Sequence, residues 1–594
     1  MEGILICILF ITGYYGMIIL SLRFCAVDFI KIFRDEWWKI LIICAVGTAF
    51  VFYQISLQRW IYFWDFAETW LPTINSERNL LSTPLQQLIH LYDSINYSDY
   101  NDFLPTLMTL PMHIFGKSFI AYTMYVWVMF ALPAIFLIAA ATKALIKKFC
   151  NEDVSCAAII GIVLMIPLIE MPVMNGYANV SMMMEGIILF LILLNLDEEK
   201  FQPVRLICAA LLSILAVLQS RTAAYMILSL YFGYAIYTTI WEGGNQLTLR
   251  VKLFALIRNL LCIGLIAAGL MTLIFYPFVE HALTYNHGMA YSAYAGGNSV
   301  GKIIWINFLH IGPTLCILLA VSLLAGFYYK KIRPHIIFLT AWTATSLILI
   351  SRIQLMGTQH YYTILVPVSI ITAAAIMLSF KRRKIICAAL VFLLTFNFAH
   401  SYSGISALDI VSKEVFKYTP FIRNDVEEIK NFIGEINKLT AGEKKVYILS
   451  GSELYNSESF NRSYMPDLVD AIPNLMSTAN IDLRDGFPIH FFDADFVITT
   501  EPVQIHMREQ DQAVVAKLTE LVTSMPLAGH FKLVMETSLY PKENDNYHVT
   551  FKVYEKISHF NKSDIDFVEN VFTELYPDNP ALFKDRFEKY KSEK

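Results

Sequence analysis

Two acids set among aromatic rings are the first residues in this chain equipped for chemistry. Residues 58–70 read QRWIYFWDFAETW, so Asp65 and Glu68 share a short run with Trp60, Tyr62, Phe63, Trp64, Phe66 and Trp70. A carboxylate among apolar rings is costly to keep charged unless it has a partner or a task. Beside a reacting hydroxyl it can take the proton as a general base. Glu68 follows Asp65 by three residues, a spacing that places both on one face of a helix. The competing reading is an interfacial aromatic belt, with Asp65 solvated or paired with Arg59.

Other polar residues interrupt apolar surroundings. SINYSDYND (94–102) holds Asp99 and Asn101, which suit hydrogen bonding to a sugar and equally suit turns and helix caps. Glu170 lies in IPLIEMPVMNGYAN. An acid in an apolar span points to function, or it reaches out to the headgroups. Arg221, in LQSRTAAY, occupies a very short turn. Arg352, in ISRIQLMGTQHYY, stands near Gln359 and His360. Arginine and histidine here suit a phosphate leaving group; interfacial anchoring is the alternative. Residues 277–303 carry Tyr285, His287, Tyr291 and Tyr294. Gly288, Gly296 and Gly297 make that stretch pliable enough to close over a site.

These residues need a scaffold, and the composition names its solvent. The 594 residues are 56% hydrophobic and 16% charged, against about 25% charged in soluble domains. Apolar runs fall near 4–24, 38–57, 118–142, 155–174, 178–196, 205–220, 223–241, 253–276, 304–328, 336–351, 361–380 and 385–402. They predict an all-helical polytopic membrane bundle of about twelve transmembrane helices. The first run lacks a basic leader and a small-residue cleavage site, so it reads as a retained helix.

Lysine and arginine crowd alternate loops: Lys31 and Arg34, Lys143 to Lys148, Lys200 and Arg205, Arg250 and Lys252, Lys330 to Arg333, and Lys381 to Lys384. The positive-inside rule puts those loops in the cytoplasm. Residues 58–117, 277–303, 351–360 and everything after about 403 are then expected outside. Within 58–117, Leu81–Tyr92 has the spacing of an interfacial helix.

The expected domains are 1–402, a membrane domain with outer loop 58–117, and 403–594, an extracytoplasmic α/β domain. Strand patterns at 445–451, 494–500, 531–537 and 547–556, with helices near 420–439, 510–523, 562–574 and 579–591, support the second. All nine cysteines precede residue 388 and none forms a close CxxC pair, which argues against disulfides and structural zinc. The net charge of −4, with no basic stripe, argues against a nucleic-acid partner. P-loop, HExxH, GxSxG and GxGxxG motifs are all missing, which leaves nucleotide-driven transport and a nucleotide-sugar site without support.

RWIYFWDFAETW, DSINYSDYNDFLPTL (93–107), RIQLMGTQHYY (352–362), ADFVITTEPVQIHMREQDQ (494–512) and VYEK (553–556) together make the chain resemble bacterial polytopic glycosyltransferases of the GT-C fold. That is the class of the protein mannosyltransferases and aminoarabinose transferases. The resemblance implies an inverting transfer of sugar from a polyprenyl-phosphate donor to a glycan or surface-polymer acceptor, outside the cytoplasmic membrane. It maps the family's first-loop catalytic acid onto Asp65 and a second acid onto Glu170. It implies a divalent cation, Mg or Mn, for some members and not others, and no metal ligands are assigned here. Arg221, Arg352 and His360 are expected at the lipid phosphate. Glu68, Asp99, Asn101, Tyr285, His287 and Gln359 complete the expected substrate-binding set. The rival expectations are a flippase for a lipid-linked sugar and a non-catalytic membrane scaffold whose outer domain binds a partner.

Overall fold

The computed structural model describes residues 2–593 except 99, 198, 241–247, 329–331, 411, 462–470, 525 and 542–546. Asp99 therefore lies outside the described residues. The chain forms two compact units. The first comprises Met1–Ser56, Glu68–Tyr285 and Val300–Thr419. The second comprises Leu57–Ala67, Asn286–Ser299 and Pro420–Lys594. A single cut at 402/403 does not describe this division, because two short segments from inside the first 402 residues fold with the C-terminal part.

The first unit is helical throughout. In hydrocarbon each peptide group must find its partner within the segment, and only a helix does that locally. All twelve apolar runs are helical, but they are not twelve straight spans. Among the described residues, eight helices are long and apolar enough to cross a membrane, or up to ten if each of two bent pairs is one span. Cys156–Leu164 meets Pro167–Met174 at 60°, and Val300–Ile311 meets Pro313–Leu324 at 95°. Proline lacks the N–H that would continue each ladder. At the sharper bend Gly312 also takes φ +108°, a backbone state that glycine adopts readily. The runs at 178–196 and 205–220 became the shorter helices Asn179–Leu194 and Pro203–Gln219.

The described part of 58–117 is also mostly helical: Trp70–Ser82, Pro84–Tyr97 and Phe103–Phe115. The expected helix at 81–92 starts at Pro84, whose fixed φ and missing N–H suit a first helical position.

The second unit is an α/β domain. Its strands are β1 (Val446–Ile448), β2 (Leu475–Met476), β3 (Phe496–Glu501), β4 (Phe531–Leu539) and β5 (Val549–Lys556), in sheet order β2-β1-β3-β5-β4. β1 runs parallel to β2 and β3, whereas β5 pairs antiparallel with β3 and β4. The burial pattern of β1 is continuous and that of β5 alternates, as a strand covered on both faces and one less covered on its second face require. One face of the sheet packs on Ala513–Thr523, Lys562–Leu575 and Lys584–Glu593 through Val514, Leu518, Phe572 and Phe587. The other packs on Val426–Thr440 through Ile429, Phe432 and Ile436.

Ile61, from the distant first loop, is fully buried in that second core. The N–H of Arg59 donates to the carbonyl of Phe421 at 2.8 Å, and the N–H of Arg423 donates to the carbonyl of Arg59 at 2.7 Å. The aromatic run is thus an arm of the domain rather than a free interfacial belt: Tyr62 and Phe63 are buried, and Trp60 lies 4.5 Å from Phe421, ring to ring.

Asp482 makes the domain's stability depend on pH. Its carboxyl is fully buried, and Oδ2 accepts from Tyr576 Oη at 2.5 Å and from the N–H of Val514 at 3.0 Å. Burial pushes its pKa up to about 7. The folded value therefore lies above the unfolded one, so the contribution is complete below about pH 4 and is lost as pH rises toward 7. Domain stability should fall by roughly 1.4 kcal/mol per pH unit across that window. Asp482→Asn should flatten the slope in urea titrations of the intact chain. An unchanged slope would show that other groups set it.

Candidate active site

Asp65 sits in a single 3-10 turn, Trp64–Phe66, within the second unit. The helix expected to carry Asp65 and Glu68 on one face does not form. Residues 67–69 are a turn and the helix begins at Trp70. Glu68 falls in the first unit and is half-buried. Trp64 holds φ +46°, a left-handed state that costs a bulky residue on the order of 1–3 kcal/mol. Two contacts hold it there: its N–H donates to Glu458 Oε2 at 2.8 Å, and its ring lies 4.5 Å from that of His506. His506 in turn donates from Nδ1 to the carbonyl of Gly451 at 2.5 Å. The strained turn leaves the neighbouring Asp65 half-buried rather than sealed in the core.

Residues 286–299 supply a second wall. They form His287–Ala290 and Ser292–Ala295, two short helical turns rather than an open loop. The first turn packs against Asp482–Asp485. Burial pushes the Tyr294 phenol up to about 12; Arg484 opposes that shift, and the negative charge of Asp65 adds to it. Arg484 binds Asp485 bidentately, Nε to Oδ1 at 2.7 Å and Nη2 to Oδ2 at 3.1 Å. Burial works against the Arg484 charge, but Asp485, Tyr294 and Tyr291 outweigh it and hold the guanidinium charged. Asp65, Tyr294 and Arg484, drawn from three separate chain segments, are thus near enough for the charges of Asp65 and Arg484 to act on the Tyr294 phenol in one corner of the second unit. His287 stacks with Tyr291 at 6.2 Å on the same wall. Tyr285 belongs to the first unit, where it stacks on His281 at 4.7 Å.

Glu170 lies in the first unit, in the second arm of the 60° bend, and is 2% exposed. Tyr402 Oη donates to its Oε2 at 3.0 Å. Pro167–Met174 packs against the turn Thr358–Tyr361, and Tyr362 Oη donates to the carbonyl of Ile169 at 3.0 Å. That packing gathers Glu170 with the turn bearing Gln359 and His360. Gln359 is buried, and His360 Nδ1 accepts from the N–H of Gly357 at 3.1 Å, which leaves Nε2 as the protonated nitrogen. Arg352, at the C-terminal end of Arg333–Ser351, is exposed, and its guanidinium makes no hydrogen bond to a described residue. Replacing Tyr402 with Phe removes the donor to Glu170 and should cost about 1–3 kcal/mol. A lowered midpoint in thermal unfolding of the detergent-purified chain is the expected reading.

Two of the expected ligand residues also make contacts within the chain. Asn101 Nδ2 donates to the carbonyl of Leu218 at 3.0 Å, and its Oδ1 accepts from the N–H of Phe103 at 3.0 Å. Arg221 Nη2 donates to the carbonyl of Ser98 at 2.5 Å, and its guanidinium lies 5.7 Å from the Phe278 ring centroid. Together they tie Ser98 and Asn101 to the chain at Leu218 and Arg221. Among the described residues, no three His, Cys, Asp or Glu side chains group to hold a metal ion.

Arg484 and Tyr402 were missed in the sequence. DLRDG reads as a surface turn, and a tyrosine ending an apolar helix reads as an interfacial anchor. Both matter through partners far away along the chain.

No protein-family model matches the chain, and no curated protein matches it either. Two solved structures are similar. ArnT from Cupriavidus metallidurans bound to undecaprenyl phosphate is 12% identical, with 87% of this chain and 98% of that chain covered and a TM-score of 0.44. ArnT from the same organism in the apo state is 10% identical over the same shares, with a TM-score of 0.45. Likeness at that level assigns neither an activity nor a substrate to this chain.

Proposed function

We propose that the chain is a membrane glycosyltransferase that moves a sugar from a polyprenyl-phosphate donor to a cell-envelope glycan on the outer face of the cytoplasmic membrane. The observation that carries this reading is the placement of Asp65. A half-buried carboxylate on a strained turn, with a phenol and a guanidinium in the same corner, suits a base that must take a proton from an acceptor hydroxyl. In this reading Asp65 is the base. Glu170, kept in an apolar helix at the cost such an acid carries, orients a substrate from within the first unit. Arg352, exposed and unengaged by described residues, is the residue of this chain best suited to receive a lipid phosphate. The arrangement of loop charges supports the outer face.

A transporter of the same lipid-linked sugar is the second reading. It is favoured by a second buried acid, Glu185, which accepts from Tyr14 Oη at 2.7 Å and from Gln219 Nε2 at 2.6 Å inside the apolar helices. One assay separates the two. Proteoliposomes holding the intact chain receive a radiolabelled polyprenyl-phosphate sugar and a mixed envelope-glycan acceptor. Acceptor-dependent release of polyprenyl phosphate is the expected result. Movement of label across the bilayer with the donor intact would favour transport and overturn the transferase.

A further inference from the structure

A cavity of about 580 Å³ opens in the second unit between the segment 477–490 and the last helix, Lys584–Glu593. That volume lies within the range of small-ligand sites. Its lining carries three cations, Arg484, Arg586 and Lys589, against two acids, Asp485 and Glu593. The acids do not cancel the cations evenly. Asp485 is already bound by Arg484 and also accepts from the N–H groups of Asn480 and Ile481 at 2.8 and 3.1 Å. Glu593 is exposed and only 3.9 Å from Lys589, itself exposed, and such a surface pair contributes little.

Arg586 is fixed in place. Its Nη1 donates to the carbonyls of Asp485 and Phe487 at 2.6 and 3.1 Å. Its Nε and Nη2 make no hydrogen bond to a described residue. Gly486, at φ +67°, makes room for it: a Cβ there would come within 2.6 Å of the Leu582 carbonyl oxygen and 2.8 Å of the Arg586 guanidinium carbon. The two pinned contacts orient a planar donor edge that matches a carboxylate or phosphate. The rings of His490 and Tyr590 line the same cavity. Tyr590 is held by its hydroxyl on Asp493 Oδ1 at 2.9 Å, so its ring is a fixed surface against which the C–H face of a sugar can lie.

We propose that this cavity binds an acidic saccharide, one carrying a carboxylate or phosphate group, with Arg586 and Lys589 holding the anion and Tyr590 the sugar face. Arg484 lines the cavity and also belongs to the corner that holds Tyr294 and Asp65. Assigning the bound saccharide as the acceptor rests on the transferase reading above; the binding itself does not.

The test uses the intact chain in nanodiscs of neutral lipid and isothermal titration with three probes: tetragalacturonate, a tetramer of glycerol phosphate, and neutral maltotetraose. At least one acidic probe should bind about tenfold or more tightly than maltotetraose. Arg586→Gln and Lys589→Glu should each weaken that probe by about tenfold. Lys589 is exposed and far from the core, so its variant reads binding even if Arg586→Gln disturbs the fold. Equal affinity for acidic and neutral probes overturns the proposal, as does unchanged affinity in Lys589→Glu. Binding without sugar transfer leaves this site standing and removes the acceptor assignment. Transfer without binding leaves the transferase reading standing and removes this site together with its acceptor assignment.

Discussion

Asp65→Asn is expected to lower the rate of sugar transfer by about 10²- to 10⁴-fold while leaving the chain folded. Asparagine keeps the shape and most of the hydrogen-bonding reach of aspartate but cannot accept a proton. The contacts of Trp64 with Glu458 and His506 hold the turn that carries it, so the backbone should stay in place. Single-turnover release of polyprenyl phosphate is the measurement, because it reports the chemical step apart from product release. Loss should fall on the chemical step at saturating donor, with donor affinity little changed. A variant as fast as the parent would remove Asp65 from the chemistry.

Asp425→Ala should destabilise the second unit by about 3–5 kcal/mol. The Asp425 and Arg423 side chains are wholly shielded from solvent, and Arg423 meets Asp425 through Nε to Oδ1 at 2.6 Å and Nη2 to Oδ2 at 3.1 Å. Arg423 also donates from Nη1 to the carbonyl of Leu454 at 2.6 Å, and its guanidinium lies 4.6 Å from the Tyr455 ring centroid. Tyr455 Oη donates to Asp425 as well. Removing the acid strands a buried guanidinium, which is far worse than removing both charges. Arg423→Met with Asp425→Leu should therefore be the milder change. Hydrogen exchange of β1 and β3 in the intact chain reads both. The backbone of Arg423 also holds Arg59, so the single variant should loosen the arm bearing Asp65 and cut transfer along with stability. Equal protection in wild type and Asp425→Ala would refute the buried-pair argument.

Local pattern carried most of the helical unit and little of the site. Hydropathy located every apolar run, because a span must be helical and greasy over its whole length. It did not foresee the 95° bend, although Gly312 and Pro313 stand together at it. The longer strands were legible from alternation and apolar runs. β2, two residues long, carries no period at all. The aromatic run looked like a belt because Trp and Tyr mark interfaces. Its real partners, Phe421, Arg423 and His506, lie more than 350 residues away, and such pairing leaves no mark on local spacing. The same holds for Asp65 with Tyr294 and Arg484. Asn101 and Arg221 were legible as polar residues by type, but their bonds to backbone more than 100 residues away were not.

The three-segment build of the second unit fixes a parity. Leu57–Ala67, Asn286–Ser299 and Pro420–Lys594 fold as one body, so all three lie on one side of the bilayer. The chain must then cross an even number of times between each segment and the next. After Ser299, three unbroken candidate spans precede Pro420: Arg333–Ser351, Thr358–Arg382 and Lys384–Tyr402. If each crosses once, Val300–Ile311 and Pro313–Leu324 must supply an odd number between them. A hairpin that dips in and returns to the same side would strand the C-terminal residues away from their own sheet-mates. On that count the sharpest bend in the chain belongs to a crossing, one span broken in the middle, and folding one domain from three pieces is what sets the count.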